Sequence, residues 1–335
     1  MADVLRPILG LAPVACFLGV LVGLDSYKLV SLTRVLAVLV AGAAMAGVSY
    51  ALNGALLANI DIDFLAFTRY VAPIVEEVLK AAIVVLLIRT HRVGFLVDAA
   101  IVGFAAGTGF AMVENLLYLR IAPDATLGAW LVRGFGTAIM HGGATSIFAV
   151  MGLALVERGG RAGMAAFIPG LLVAAALHSA FNHFFFSPLI STVGIAVVFP
   201  LVLQLVFARS EAAMGRWLGK GFDADAEMLE LIGSGRLSGS PVGRYLHQLK
   251  EKFQGPVVAD LICYLRLHTE LALRAKGILM MRENGFDAPV DQATCEKFAE
   301  MRYLEKSIGP TGRKALQPML HMSHKDLWQL YMLGK

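Results

Sequence analysis

Seven stretches of the chain are apolar over roughly the length of a bilayer: residues 5–24, 33–57, 65–88, 95–118, 128–155, 163–185 and 187–208. A helix of about 20 such residues crosses the hydrocarbon core. After residue 208 the pattern changes. The stretch 209–335 is mixed and charged, and segments such as VVADLICYLRLHTELALRAKGILMMREN carry apolar residues at helical period. The expectation is an all-α polytopic membrane protein: about seven transmembrane helices in 1–208, then a soluble helical domain in 209–335. IGSGRLSGSPVG at 232–243 reads as a loop within that domain.

Composition supports this reading: the chain is 57% hydrophobic and only 16% charged, where a soluble domain has about a quarter of its residues charged. The net charge of +4 fits loops on the cytoplasmic side better than nucleic-acid binding, for which there is no motif. Cys16, Cys263 and Cys295 lack the spacing of a disulfide framework or a zinc knuckle. The first apolar run reads as a retained span. Lys28 and Arg34, Arg89 and Arg92, Arg158 and Arg161, and Arg209, Arg216 and Lys220 fall in alternate connections and the tail. The intervening connections hold Asp61, Asp63 and Arg69, then Arg120 and Asp124, then no charge. The positive-inside rule therefore places the N-terminus outside and the tail in the cytoplasm, with Arg6 and Arg133 as exceptions.

The third apolar run breaks its own pattern. APIVEEVLKAAIVVLLI (72–88) carries Glu76, Glu77 and Lys80 at its centre, where each unpaired charge costs about 2.5–3.5 kcal/mol. The two carboxylates lie ~100° apart around the helix with Lys80 between them one turn on, so the ammonium reaches either. One Glu is then explained as a structural ion pair and the second is not. GFAMVENLLY adds Phe110, Glu114 and Asn115; IMHGGATSIF adds His141 and Thr145; AALHSAFNHFFF adds His178, Asn182 and His183. A lone His or Asn at membrane depth more often joins helices than does chemistry. Four consecutive spans with an acid or imidazole form the inventory of a site. By contrast, Asp98 suits a helix N-terminus, Asp61 and Asp63 suit a cap or interface, and Phe184, Phe185 and Phe186 suit an interfacial belt. Gly103, Gly107, Gly109, Gly142 and Gly143 allow close helix approach, Pro73, Pro169 and Pro200 suit kinks, and His321 and His324 read as residues of a tail helix.

EEVLK (76–80), FAMVE (110–114), HGGAT (141–145) and HSAFN (178–182) resemble, in order and one per helix, the motifs of PrsW-type intramembrane proteases, relatives of the CAAX prenyl endopeptidases. The resemblance covers roughly residues 60–185. It implies a multi-pass enzyme of a bacterial cytoplasmic membrane that hydrolyses a peptide bond of a single-span membrane protein, such as an anti-sigma factor. Carried over, Glu76 is a general base and His178 with Asn182 serves the oxyanion. Glu77 and Glu114 join the catalytic set, with Lys80, Phe110 and Asn115 as support. Where the related enzymes have FxxxH this chain has Glu114, so the imidazole partner falls to His141 or the proton is shared between Glu76 and Glu114. The chemistry is coherent: hydrolysis needs a buried base and donors aimed at the oxyanion.

No HExxH occurs, so the chain is not a zincin. Two His and a Glu nevertheless match a His2Glu set. Glu114, His141 and His178 are the candidate ligands for Zn2+, the one cofactor left open. A transporter or proton relay would show repeat symmetry between halves, and none is visible. A non-catalytic scaffold would tolerate loss of Glu76 or His178. A prenyl-tail protease would need a site open to the cytoplasm. The tail carries no motif and is left to regulation, self-association or a cytoplasmic partner.

Overall fold

The structure is a computed structural model that describes residues 2–159, 163–286, 288–320 and 324–333. Arg161 and His321 lie outside the described residues. The chain forms two compact units, Met1–Ser210 and Glu211–Lys335, and the described residues contain no strand.

The first unit contains α1 (Ala2–Gly23), α2 (Leu32–Asn59), a short α3 (Phe64–Ala66), α4 (Ala72–Arg89), α5 (Leu96–Ile121), a short α6 (Leu127–Leu131), α7 (Ala138–Gly159) and α8 (Ile168–His183). The helix α9 runs Pro188–Gly233. Six stretches of described helix are long and apolar enough to cross a membrane: Val4–Gly23, Leu32–Asn59, Leu96–Ile121, Leu127–Gly159, Met164–His183 and Pro188–Gly233. The molecule is a helical, multi-pass membrane protein. The expected third span is not among the six. It is built as α3, a π turn at Phe67–Val71 and α4, and the short α4 carries Glu76, Glu77, Lys80 and Arg89.

The π turn leaves polar backbone groups that the fold must satisfy. The Ala72 N–H bonds the Phe67 carbonyl five residues back, which strands the Thr68 carbonyl. Pro73 has no N–H for the Arg69 carbonyl four residues back. Asn182 Nδ2 donates to the Thr68 carbonyl at 3.0 Å and Ser179 Oγ donates to the Arg69 carbonyl at 2.6 Å. In a bilayer such groups have no water to turn to, so α8 is pinned to the start of α4. A second π turn, Val132–Thr137, joins α6 to α7. Asp63 caps α3 by accepting from the Leu65 and Ala66 N–H groups. Asp98, fully buried, accepts from the Gly94 and Phe95 N–H groups at the start of α5.

Helix α5 is the central element of this unit, and residues Val97–Ala111 are buried throughout. It approaches α7 and α2 so closely that side chains are excluded. A Cβ on Gly107 would lie 2.3 Å from the His141 carbonyl oxygen, and one on Gly109 would lie 1.9 Å from the Leu39 carbonyl oxygen.

The second unit holds the rest of α9 with α10 (Pro241–Leu249), α11 (Gly255–Glu283), α12 (Gln292–Leu316, broken at Gly309 before Pro310) and α13 (His324–Leu333). Its core gathers Leu261, Leu265, Leu271, Ile278, Leu316 and Leu333. The Gly/Ser stretch is a 3-10 turn at Arg236–Gly239, with Ser240 capping α10. His324 opens α13.

The α5–α7 contact generates one prediction. Gly107→Ala must push α7 backbone aside and should cost about 1–3 kcal/mol, lowering the thermal midpoint of purified protein. Gly47→Ala on α2, where an added Cβ meets nothing within 4 Å, should leave it unchanged. Equal midpoints for the two variants would contradict this packing.

Candidate functional site

The motif residues of four helices converge. Helix α4 supplies Glu76, Glu77 and Lys80; α5 supplies Phe110, Glu114 and Asn115; α7 supplies His141; α8 supplies His178 and Asn182. Glu77, Lys80, Asn115, His141 and His178 are buried.

Lys80, fully buried, decides which carboxylate it holds. Its Nζ donates to Glu77 Oε1 at 2.5 Å and to His141 Nδ1 at 3.0 Å, and lies 4.9 Å from the Phe110 ring centroid. An ammonium only donates, so Nδ1 of His141 is an acceptor and the ring proton of the neutral imidazole sits on Nε2. That nitrogen donates to Glu114 Oε2 at 2.7 Å. The same logic applies to His178, whose Nδ1 lies 2.9 Å from Glu77 Oε1. Nδ1–H donates there and Nε2 keeps its lone pair. This Nε2 faces Glu76 Oε2 at 3.8 Å. His141 and His178 meet edge to face with ring centroids 4.6 Å apart.

Glu114 is held on its other side by Arg133, whose Nη2 donates to Oε1 at 2.8 Å. Arg133 Nε donates to Asn115 Oδ1 at 2.8 Å, and its guanidinium stacks 4.0 Å over Tyr118. Asn115 Nδ2 donates to the Gly10 carbonyl of α1 at 2.7 Å. Lys80 therefore answers Glu77 and Arg133 answers Glu114. Glu76 has no Lys or Arg partner among the described residues. It receives a 3.4 Å contact from Asn53 Nδ2 on α2, and Asn53 also donates to Ser49 Oγ at 3.2 Å.

Among the described residues, Glu76, His141 and His178 can each point one ligand atom to within 4.8 Å of the others. These donors fit a zinc-type ion in kind. Two of them are backed by carboxylates, Glu77 behind His178 and Glu114 behind His141, the arrangement that orients metal-binding imidazoles. The acid in this group is Glu76, whereas the motif pattern nominates Glu114, which is instead taken up by Arg133 and His141. Asn182, expected beside His178, spends its amide on the Thr68 carbonyl. Sequence reasoning misses Arg133, Asn53 and Ser49. An Arg inside an apolar run is itself a signal, but along the chain Arg133 stands out only as an exception to the charge rule.

A pocket of about 520 Å³ leads to the site between α2, the α3–α4 segment and α5, with Glu76 and Glu114 in its wall. That volume falls in the ~300–1,000 Å³ range of ligand pockets.

The buried ion pair is testable. Lys80→Ala leaves Glu77 unpaired and should destabilise by about 3–5 kcal/mol, seen as reduced folded protein after detergent extraction. Lys80→Ala with Glu77→Gln should recover much of that loss. Failure of the double variant to improve on the single one would sink the pairing.

No curated protein and no solved structure matches the chain. The sequence profile described as "PrsW family intramembrane metalloprotease" matches residues 30–207, just over half of the chain and all four helices that build the site. With this match added to the buried Glu and His cluster, the chain belongs to the PrsW family of intramembrane metalloproteases.

Proposed function

We propose that the protein hydrolyses a peptide bond of a single-span membrane protein, an anti-sigma-factor-like substrate of a bacterial cytoplasmic membrane, at a centre formed by Glu76, His141 and His178. The observation that carries this reading is the convergence of these three donors beside a pocket in whose wall Glu76 lies. The three residues would hold one zinc-type ion, which supplies Lewis acidity and a more acidic bound water. Glu77 fixes the tautomer of His178 and Glu114 that of His141, and Lys80 would release His141 Nδ1 to the ion. Glu114, whose side chain is 36% exposed, is the second carboxylate on the pocket and orients His141 through its Nε2–H. Arg133 keeps it in place.

A second reading rests on a specific contact. Lys80 sits on His141 Nδ1, the atom that an ion would need. If that contact persists in the working enzyme, Glu76 is the general base and the water lies between its Oε2 and His178 Nε2. The two readings separate cleanly. Under the first, the purified protein carries about one zinc-type ion, a strong chelator removes both ion and activity, and zinc restores them. Cleavage that survives chelation with no ion bound moves the role to Glu76 as base.

Both readings place the chemistry at one end of the helices. Glu114 lies seven residues before α5 ends at Ile121 and His178 five residues before α8 ends at His183, or ~10 Å and ~8 Å at 1.5 Å per residue. Arg34, in the first turn of α2, donates to the backbone carbonyl of Arg92 in the α4–α5 connection at 3.1 Å, at the opposite end. With the N-terminus outside and the 209–335 domain cytoplasmic, the site falls in the outer half of the bilayer. Glu76→Gln should abolish cleavage while leaving folded protein abundant, and product sequencing should place the cut at the extracytoplasmic boundary of the substrate span. Full activity in Glu76→Gln, or a cut on the cytoplasmic side, overturns the proposal.

A further inference from the structure

On α4, Val78, Ala82, Val85 and Arg89 follow one another at i, i+4, i+7 and i+11, a single stripe of the helix. Glu76 lies ~200° from Val78 around the axis, so the stripe is turned away from the catalytic side. A second pocket, of about 680 Å³, opens on it. It lies between α4, α7 and the start of α8, and it shares no lining residue with the pocket that holds Glu76. Ala81, Phe148 and Phe167 are buried beneath it, while Val78, Leu86, Met164 and Ile168 are exposed along it. The small side chains of Ala81 and Ala82 give it depth. Its lining is apolar apart from Arg89 and Thr90, and Arg89 alone carries a charge there. The guanidinium presents five donors and no acceptor. Among the described residues it meets the Met164 sulfur, 3.6 Å from Nη1, and a thioether is a weak acceptor.

We propose that this groove is a binding site for an anionic phospholipid, with the phosphate on Arg89 and an acyl chain laid along α4 toward Val78. The planar fork of an arginine matches phosphate oxygens in paired hydrogen bonds, and no carboxylate lines the groove to compete for it. The length also fits. Val78 to Arg89 rises ~17 Å at 1.5 Å per residue, close to one leaflet of a ~30 Å hydrocarbon core. A free phosphate would leave that apolar length uncovered. Arg89 ends α4, at the end opposite Glu114 and His178. In the orientation adopted above this is the cytoplasmic side, where basic pockets between spans meet anionic headgroups. The bound lipid braces α4, the helix that carries Glu76, Glu77 and Lys80, against α7 and α8 from outside the catalytic pocket. The inference uses no residue of the site and stands without the protease reading.

The test titrates full-length protein in a neutral detergent with phosphatidylglycerol, or with phosphatidylcholine of the same chains, whose choline cancels the phosphate charge. Native mass spectrometry counts the bound lipids. Glycerol phosphate serves as a headgroup without chains. The first phosphatidylglycerol should bind about fivefold more tightly than the first phosphatidylcholine, the equivalent of the ~1 kcal/mol that one basic residue contributes toward anionic lipid. Glycerol phosphate at equal concentration should leave it in place. Arg89→Gln should abolish the preference. Arg120→Gln, the same charge change on an exposed residue near the end of α5, should keep it. Ala82 is exposed in the groove, so Ala82→Trp and the smaller Ala82→Phe should remove the first phosphatidylglycerol with an unchanged thermal midpoint. Equal binding of the two lipids by the native chain, native preference in Arg89→Gln, or native binding in whichever Ala82 variant folds overturns the inference. So does displacement of phosphatidylglycerol by glycerol phosphate, which gives the site to a free phosphate. A dimer that the Ala82 variants dissociate while lipid binding stays unchanged overturns it too, and gives the groove to a second copy of the chain.

Discussion

The contact on which the site depends is the fully buried pair of Lys80 and Glu77. A lysine with no exposure is tolerated because two of its ammonium protons go to Glu77 and His141 and the charge lies over the Phe110 ring. Breaking such a pair leaves a charge stranded in a medium of low dielectric, which is far costlier than never having buried it. The geometry that this imposes extends outward. Glu77 Oε1 also receives His178, and His141 is turned so that its other nitrogen meets Glu114. One ion pair therefore sets the tautomers of two imidazoles on two different helices, Lys80 that of His141 and Glu77 that of His178. Arg133 does the equivalent for Glu114, and between them the two cations leave Glu76 as the site carboxylate without a Lys or Arg partner among the described residues.

Much of this is legible in the chain. Apolar runs of bilayer length give the helices, because a membrane offers backbone groups no alternative partner. The placement of EEVLK, FAMVE, HGGAT and HSAFN on successive helices points to one shared site, because charges at membrane depth must find each other. The excess of one acid over what Lys80 can neutralise is also visible, although which of Glu76 and Glu77 it holds depends on side-chain directions that spacing alone does not fix.

The hidden part depends on departures from regular helix. The third apolar run reads as one span, but a π turn and Pro73 divide it, and the carbonyls so released claim Ser179 and Asn182. No periodicity argument reveals that an amide will be used to mend a helix. Arg133 also lies on a π turn, within a run that otherwise reads as plain apolar helix, and its pairing with Glu114 emerges only once α5 and α7 are brought together. Asn53 is silent because α2 carries no other feature of a site.

The π turn at Phe67–Val71 also has a bearing on length. A π turn holds one residue more than the α-helix it replaces, and each residue rotates the remainder of the helix by ~100°. The orientation of Glu76 and Glu77 relative to Asp63, where the helix begins, is thus set by a single extra residue rather than by any side chain. Related chains that lack it would have to compensate by a shift elsewhere before the same two carboxylates could face inward, so the count of residues between the Asp63 cap and Glu76 is as much a part of the site as the residues themselves.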